Sequence, residues 1–554
     1  RKPPTNDHLQ RLAQLERYHS PQEWYPRLLP APRRMTLQAF RRRYEPLTPG
    51  EICRADTVTV ADQQSHRTGR VRSVRSAGSK LLFLTLEQDA HALQALCLVP
   101  SNCSTIPPRF RDFVQTVREG DWYQLTGHPH RTARGELSLY HSTTHDDPPP
   151  TLLAPALHNL PPPPAPPSAA SPNSSNSSSS NPRHVDMLTR PAVTQTLRLR
   201  HLLEQHMHAF FSDAGFTHVR TPILAGDAGG ATARAFQTTA TALPSRQLRL
   251  RVAPELWLKR LVVGGLDKVY EIGPSFRNEG IDATHNPEFT TCEFYAAFAT
   301  LDDLLSTTEN LLTSLHAALE PPKHTHLCAL PPCPIAFTAP FPRLPFLPTL
   351  EAHLQQGPLP DLTADTPATR AALAALLTQR DRPLPSPPSL PRLLDALAAA
   401  VLEPLCAAPT FITHHPAALS PLAKHLRCPR TGQLVAARAE LFIAGREYAN
   451  MYEEENSPFA QRAKFAAQRG RRRGGDGDGD GDGDDDGRAR FDDGNGDDDD
   501  DDAFCEALEW GLPPTGGWGC GVDRLAMLFA GRDRISDVLA FGTVRKVAGG
   551  GGRG

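Results

Sequence analysis

Between Glu271 and Tyr295 the chain gathers polar side chains in strand-like surroundings. Val269-Tyr270-Glu271-Ile272 reads as one strand, GPSFRNEGIDATHNP as a connection, and Glu288 to Phe298 as a second strand. Alternate side chains of a strand share a face. Phe289, Thr291, Glu293 and Tyr295 therefore point one way, and Arg277 and Glu279 share a face on the incoming strand. One hairpin thus offers a fixed cation, carboxylates, an aromatic plate and a histidine. The planar fork of arginine donates in pairs, which suits a phosphate or a carboxylate. A second hairpin, AELFIAGREYANMYEEEN, places Glu440 before the Ala444-Gly445 turn and Glu447 after it, so that both carboxylates could reach one metal ion. Hard oxygen ligands beside phosphate imply Mg²⁺ rather than zinc. Asn450, Tyr452 and Glu454 alternate along the return strand. GGWGCGVDRLAMLF reads as a tight strand-to-helix junction whose small residues let a flat ligand approach the backbone, with Arg524 at the helix start. The alternative is that these groups are solvated strand faces and their salt-bridge partners; three coherent clusters weigh against it. Neither a GxxxxGK[ST] loop nor a GxGxxG after a strand is present.

The elements that position these residues fall into two regions. Residues 55–142 read as short strands with turn residues between them, as in a small β-barrel. Residues 147–182 hold a PPPP run and SPNSSNSSSSNP, a linker that cannot bury a core. Leu197, Leu199, Leu202, Leu203, Met207, Phe210 and Phe211 then approximate a helical apolar stripe closed by Gly215. The proline-rich stretch 320–408 is weakly patterned, and 469–502 passes from RGRRR into repeated GD and a run of aspartates. Asp482, Asp484, Asp486 and Gly487 begin like a calcium loop, but position twelve is Asp493 and no amphipathic helices flank the tract, so a disordered insert is expected. The resulting division is an extension over 1–50, a barrel over 51–146, the linker, a second domain over 183–546 and a Gly-rich tail over 547–554.

With 59 basic against 61 acidic residues the net charge is -2, so any RNA contact rests on local patches rather than bulk attraction. Ten cysteines in 554 residues make no disulfide scaffold; Cys328 and Cys333 lack partners at zinc spacing, and reduced thiols are expected. No apolar run approaches the roughly 20 residues needed to cross a bilayer, so a soluble protein without membrane contact is expected. The chain starts at Arg1 without methionine, which suggests processing or truncation, and its first segment is arginine-rich yet carries Asp7, Glu16 and Glu23.

FRNEG followed by HNPEFTTCEFY resembles motif 2 of the class II aminoacyl-tRNA synthetases in its lysyl version. GWGCGVDRLAMLF resembles motif 3, and GFTHVRTPIL resembles motif 1 with Pro222 at its proline. RVAPELWLKRLVVGG and ELFIAGREYANMYEEEN look like lysyl-specific segments, and GRVRSVRSAGSKLLFLTL is similar to the family's OB-fold anticodon-binding barrel. The resemblance implies an α+β chain: an N-terminal OB-fold barrel plus a catalytic domain built on an antiparallel sheet flanked by helices, dimerising through motif 1. It implies ATP and lysine as substrates, tRNA(Lys) as partner and Mg²⁺ as cofactor. Arg277 and Arg524 would be catalytic, Arg277 holding the α-phosphate and the lysine carboxylate. ATP would meet Arg277, Glu279, His285, Asn286, Phe289, Glu440, Leu441, Gly521, Asp523 and Arg524, with Phe289 stacking on adenine and Arg524 closing the other face. Glu440 and Glu447 would bind the metal. Lysine would sit among Gly230, Glu255, Glu293, Tyr295, Asn450, Tyr452 and Glu454. In the barrel, Phe83 would stack an anticodon base, with Arg72 or Arg75 near phosphates; a strand phenylalanine is otherwise usually core.

Charge supports lysine independently, because a substrate with two ammonium groups needs carboxylates such as Glu255, Glu293 and Glu454. Length discrimination is weaker, since one methylene is worth only about 1–3 kcal/mol, which leaves ornithine the hardest competitor. Arg234-Ala235-Phe236 lacks the proline that the family usually carries there. TPILAGDAGGATAR, NMYEEENSP and LPPTGGWGCGVDRL look most like fungal mitochondrial forms, which implies the mitochondrial matrix, with the cytoplasm as the alternative. Two other readings stay open: a sister synthetase for aspartate or asparagine, and a non-catalytic RNA-binding or regulatory relative.

Overall fold

The computed structural model describes residues 6–18, 20–27, 34–54, 58–60, 69–89, 91–144, 150–162, 181–226, 233–320, 327–354, 358–475 and 496–544. It divides into two compact units, 1–191 and 192–554.

In the first unit, helices α1 (Asn6–Tyr18) and α2 (Leu37–Tyr44) precede the strands β1 (Gly69–Ser76), β2 (Leu81–Gln88), β3 (His91–Leu98), β4 (Trp122–Gln124), β5 (Thr126–Arg131) and β6 (Leu137–Ser142), with α3 (Pro108–Thr116) between β3 and β4. β4 pairs with β1, while β5, one residue later, pairs with β6 at the far end of the sheet order. A single run of chain can do both only if the sheet curls back on itself into a barrel. Period-two patterning fills it: Leu82, Leu84 and Leu86 of β2 and Leu93, Ala95 and Cys97 of β3 are buried with Phe110 and Phe113 of α3. The described residues among the first 50 join this core through Leu15, Trp24, Leu37, Phe40 and Tyr44. Arg11 is fully buried; it donates to Asp121 Oδ2 and to the Thr116 carbonyl, each at 2.7 Å.

The second unit is built on an eight-stranded sheet: β7 (Thr217–His218), β8 (Lys268–Phe276), β9 (Glu288–Ala297), β10 (Arg343–Pro345), β11 (Thr410–Thr413), β12 (Arg438–Ile443), β13 (Arg446–Glu453) and β14 (Thr515–Gly521). The spatial order is β7-β8-β9-β14-β13-β12-β11-β10. All pairs are antiparallel except β7 with β8 and β10 with β11 at the two edges. Helices α4 (Pro191–Asp213) and α6 (Leu301–Leu319) cover one face of the sheet, α6 starting at a Thr300–Asp303 capping box. The expected stripe on α4 buries Leu199, Leu203, Met207 and Phe211. Between α4 and α6 comes α5 (Glu255–Val263).

Two expectations are corrected. The stretch 320–408 contains α7 (Phe346–Leu354), α8 (Pro367–Thr378) and α9 (Leu390–Val401), which share a core of Leu347, Leu350, Leu373, Leu377, Leu394 and Leu397. Its prolines are not loop markers throughout: Pro367 and Pro391 stand in first turns, where a missing N–H costs nothing and the fixed φ suits a helix. The insert expected over 469–502 is also narrower than the composition suggested, and it is flanked by helices. These are α10 (Pro458–Gly475) and α11 (Gly496–Glu509), joined by the rings of Phe465 and Phe504 and by Arg462 to Glu509 at 2.6 Å. The calcium-loop candidates Asp482 to Asp493 lie outside the described residues. The sheet is followed by α12 (Val522–Ala530), capped by Gly531 in the left-handed region. All ten cysteines are free, and no described helix is long and apolar enough to cross a membrane.

The buried Arg11 pair gives the barrel a test. Arg11→Ala strands Asp121 in the interior and should cost about 3 kcal/mol, read as an earlier barrel transition in denaturant.

Candidate active site

Register across three strands builds the site. Glu293 of β9, Gly519 of β14 and Asn450 of β13 form one row; Tyr295, Gly517 and Tyr452 form the next. The central strand contributes only glycine to these rows, which leaves a trough walled by the side chains of its neighbours. On the opposite face, the rows Phe294–Trp518–Met451 and Cys292–Cys520–Ala449 enter the core under α4 and α6. Phe294 stacks on Trp518 at 5.1 Å, and the Trp518 indole N–H donates to Thr308 Oγ1 at 2.9 Å. Gly517 is dictated by space, since a Cβ there would lie 1.9 Å from Glu454 Oε1 and 2.7 Å from Tyr295 Cε1. The trough opens into a cavity of about 920 Å³ whose lining includes Glu255, Arg277, Phe289, Glu293, Asn450 and Arg524.

One end of the cavity is acidic. Glu255, at the first turn of α5, accepts from the Tyr452 hydroxyl at 2.8 Å and from Lys259 Nζ at 2.6 Å. Lys259 also lies 2.5 Å from Glu454 Oε2, and the side chains of Lys259 and Glu454 are both fully buried. Neither carboxylate oxygen of Glu454 has a hydrogen bond of good geometry among the described residues. Burial, then the charge of Glu255, pushes the Glu293 carboxyl up to about 8.

The other end is cationic. Arg277 lies 5.1 Å from the centre of the Phe289 ring, and its buried Nε has no hydrogen-bond partner among the described residues. Arg524 donates to the Glu447 carbonyl at 3.0 Å and to His285 Nε2 at 2.9 Å. His285 Nδ1 in turn faces Asp282 Oδ2 at 2.8 Å, which fixes the tautomer with the proton on Nδ1. Glu440 is held by Arg438 and by His415 Nε2 at 3.1 Å. Burial works against its charge, but Arg438 and then His415 outweigh it and bring the carboxyl down to about 2. Glu447 keeps 41 % of its side-chain surface open yet sits inside the cleft, where burial and Glu440 push its carboxyl up to about 7. A second cavity of about 1940 Å³ shares His285, Arg438, Glu447 and Arg524 with the first, so the two form one cleft.

The hairpin alternation brings Phe289, Thr291, Glu293 and Tyr295 to the cleft together. Other expected residues stand elsewhere or are already engaged. Arg277 and Glu279 are not on the incoming strand: β8 ends at Phe276, because Asn278 N turns away to the Arg234 carbonyl at 2.8 Å. Glu279 is exposed at the cavity mouth, and Asn286 lines it while donating to the Glu288 carbonyl. The Leu441 side chain is wholly in the core, so only its backbone could meet a ligand. Gly521 lines the cavity, but the Asp523 carboxylate is taken by Arg200 at 2.5 Å and by Thr290 N at 2.7 Å. Gly230 lies outside the described residues. In the barrel, Phe83 faces outward rather than into the core, with Arg75 over its ring at 4.7 Å. Arg72 is engaged by Glu87 at 2.5 Å and the Leu188 carbonyl at 2.7 Å.

Sequence reasoning passed over Lys259, Arg438 and His415. Lys259 had a readable signal, since it stands four residues after Glu255 on a helix and so shares its face. Arg438 stands two before Glu440 on a strand, again one face, while His415 comes from a distant loop and had none.

Comparison with known proteins places these features. Residues 175–545 match the family described as tRNA synthetases class II (D, K and N), and residues 68–145 match the OB-fold nucleic acid binding domain. The chain is 34% identical to the lysine–tRNA ligase cla4 of Cladosporium cladosporioides, over 91% of this chain and 79% of the relative. It is 36% identical to the mitochondrial lysine–tRNA ligase of Schizosaccharomyces pombe, over 86% and 84%. A probable cytoplasmic lysine–tRNA ligase of Encephalitozoon cuniculi is 34% identical, over 89% and 90%. The chain therefore belongs to the class II lysine–tRNA ligases, aminoacyl-tRNA synthetases that carry an OB-fold barrel beside the catalytic domain.

Proposed function

We propose that the cleft activates L-lysine with ATP and passes it to tRNA(Lys), using the residues just described. The observation that carries this reading is the charge pattern of one cavity, an arginine with an unpaired buried Nε together with three carboxylates that share a single buried lysine. The free Arg277 Nε suits a carboxylate or phosphate, and Glu255, Glu293 and Glu454, with only Lys259 between them, suit ammonium groups. Lysine has both ends. Its carboxylate, held by Arg277, attacks the α-phosphorus of ATP; pyrophosphate leaves and lysyl-adenylate forms. Negative charge grows on the phosphoryl oxygens, where Arg277 and Arg524 lie as preorganised donors. A ribose hydroxyl of the terminal adenosine of tRNA then attacks the adenylate carbonyl and releases AMP. Phe289 offers a face for adenine, and the His285–Arg524 contact orders the far side of the nucleotide.

Glu440 and Glu447 fit a Mg²⁺ ion by their chemistry. They are neighbouring carboxylates whose mutual repulsion shows in the raised Glu447, and a divalent cation would relieve it. No group of three or more His, Cys, Asp or Glu side chains among the described residues could hold a metal alone. That suits Mg²⁺, which is commonly held by one or two carboxylates with waters and substrate phosphates. When bound, the ion would neutralise phosphate charge.

An aspartate or asparagine enzyme is disfavoured, because three carboxylates would face an anionic or neutral side chain. Dimerisation through the segment around Pro222 is supported by the exposed Ile223 and Leu224 that follow it; sedimentation of the intact chain as a monomer at micromolar concentration would remove that part of the proposal. A role in mitochondrial translation rests on the relative from S. pombe and on the sequence details above. Fractionation of cells that finds the protein in the cytosol would remove it.

Amino-acid-dependent ATP–pyrophosphate exchange tests the reaction. Lysine should support exchange where aspartate and asparagine do not, with ornithine weaker, and Arg277→Ala should lower the rate by about 10²-fold or more. No exchange from folded protein would overturn the reading. The raised Glu293 adds a pH dependence. Below about 8 this carboxyl must give up its proton to receive an ammonium, so lysine KM should fall as pH rises from 6 toward 8, by up to about tenfold per unit. Glu293→Gln should raise KM and flatten that slope.

A further inference from the structure

Lys259 offers an ammonium of the chain's own inside the lysine cavity. It stands one helical turn after Glu255 on α5, and its Nζ reaches Glu255 Oε1 at 2.6 Å and Glu454 Oε2 at 2.5 Å. Aromatic rings complete the cage: Phe504 at 5.5 Å, Tyr452 at 5.8 Å and Tyr295 at 5.9 Å from Nζ to the ring centre. These contacts come from four different elements, namely α5, α11, β9 and β13 with the residue that follows it. Burial pulls the Lys259 ammonium down, but Glu255 and then Glu454 outweigh it and hold it above the ordinary lysine value.

Charge balance gives this cage a use. Glu255, Glu293 and Glu454 together would present three negative charges, one more than the two ammonium groups of lysine can answer. A buried carboxylate left without a counter-ion takes up a proton rather than remain charged. The lysine carboxylate does not enter this sum, because Arg277 matches it at the other end.

We infer that Lys259 is a positioning residue for lysine recognition: it clamps Glu255 to Glu454 and sets the charge of the cavity to that of a dication. Lys259 does not contact the reacting atoms and is not a catalytic residue. The inference rests on the proposed lysine site and deepens it. Lys259 bridges the two carboxylates, and its ammonium opposes the burial that drives the Glu454 carboxyl upward; Glu293 has no lysine beside it and keeps a proton to lose. Of the other cations around the cavity, Lys464 of α10 is occupied by Glu455 and by the Ala423 carbonyl, each at 2.6 Å, Arg251 near Glu293 is paired with Glu271 at 2.7 Å, and Arg277 faces the other end, so none replaces it.

Lys259→Met, Lys259→Arg and Glu454→Gln should be compared by pyrophosphate exchange across pH 6–8.5. Lys259→Met should raise lysine KM by about tenfold or more for each further proton to be expelled, steepen its pH dependence, and leave ATP KM within a few-fold. Lys259→Arg, which keeps the charge, should recover part of the loss. A lowered melting temperature in Lys259→Met with unchanged lysine KM and pH slope would overturn the inference and leave Lys259 as a stabilising ion pair. If Glu454→Gln also leaves lysine KM unchanged, the lysine site itself is misplaced; if it raises KM while Lys259→Met does not, only the inference fails. Should Lys259→Met not fold, calorimetry of lysine binding to the unaltered protein in buffers of different ionisation enthalpy gives the proton count. At pH 7 no more than one proton should leave per lysine bound; release of two would overturn the inference.

Discussion

One electrostatic demand organises the cleft of the second unit: several carboxylates stand close together out of water, where burial raises Glu293 and Glu447 and neighbouring cations must offset it. A sheet meets the geometric half of that demand. Its period-two alternation sends Phe294, Trp518 and Met451 into the core while Glu293, Tyr295, Asn450 and Tyr452 line the trough. The glycines of the central strand make room. Without Gly517, the Glu454 carboxylate and the Tyr295 ring could not both stay where they are. The electrostatic half is met by neighbours: Lys259 for Glu255 and Glu454, Arg438 and His415 for Glu440, and Arg524 beside Glu447. The cleft is therefore polarised along its length, acidic toward α5 and cationic where Arg277 and Arg524 meet.

Strong patterns in the sequence carried far. The strand alternation around Glu293 and the α4 stripe hold in the fold, because both follow from backbone periodicity with one face buried. What failed did so where a local signal had two physical meanings. Proline density in 320–408 left that stretch without a readable pattern, yet Pro367 and Pro391 sit in helix first turns, and the leucines between them make a core. Asp523 lines the cavity as expected, but the sequence did not reveal that Arg200 and the Thr290 amide hold its carboxylate.

The barrel shows the same limit from the other side. Phe83 on β2 was ambiguous between core and surface, and a single alternation decides it, since Leu82 and Leu84 are the buried neighbours. Arg75 over its ring makes a half-buried, outward-facing, cation-backed aromatic plate. Arg72 was equally eligible by sequence, but only the fold could reveal that Glu87 and the Leu188 carbonyl hold it. Side chains whose partners are distant in sequence stay illegible until the chain is folded.

The helices α10 and α11 hold each other through Phe465, Phe504 and the Arg462–Glu509 pair, while Phe504 also walls the Lys259 cage. The acidic tract is thus spliced between two ends that are already tied. Because closure entropy grows only slowly with loop length, foreign sequence is cheap to tolerate at this point. It is a natural port for grafting: a fluorescent or affinity module sewn in there would sit one helix away from the acidic end of the cleft and would report on it without interrupting a strand of the sheet.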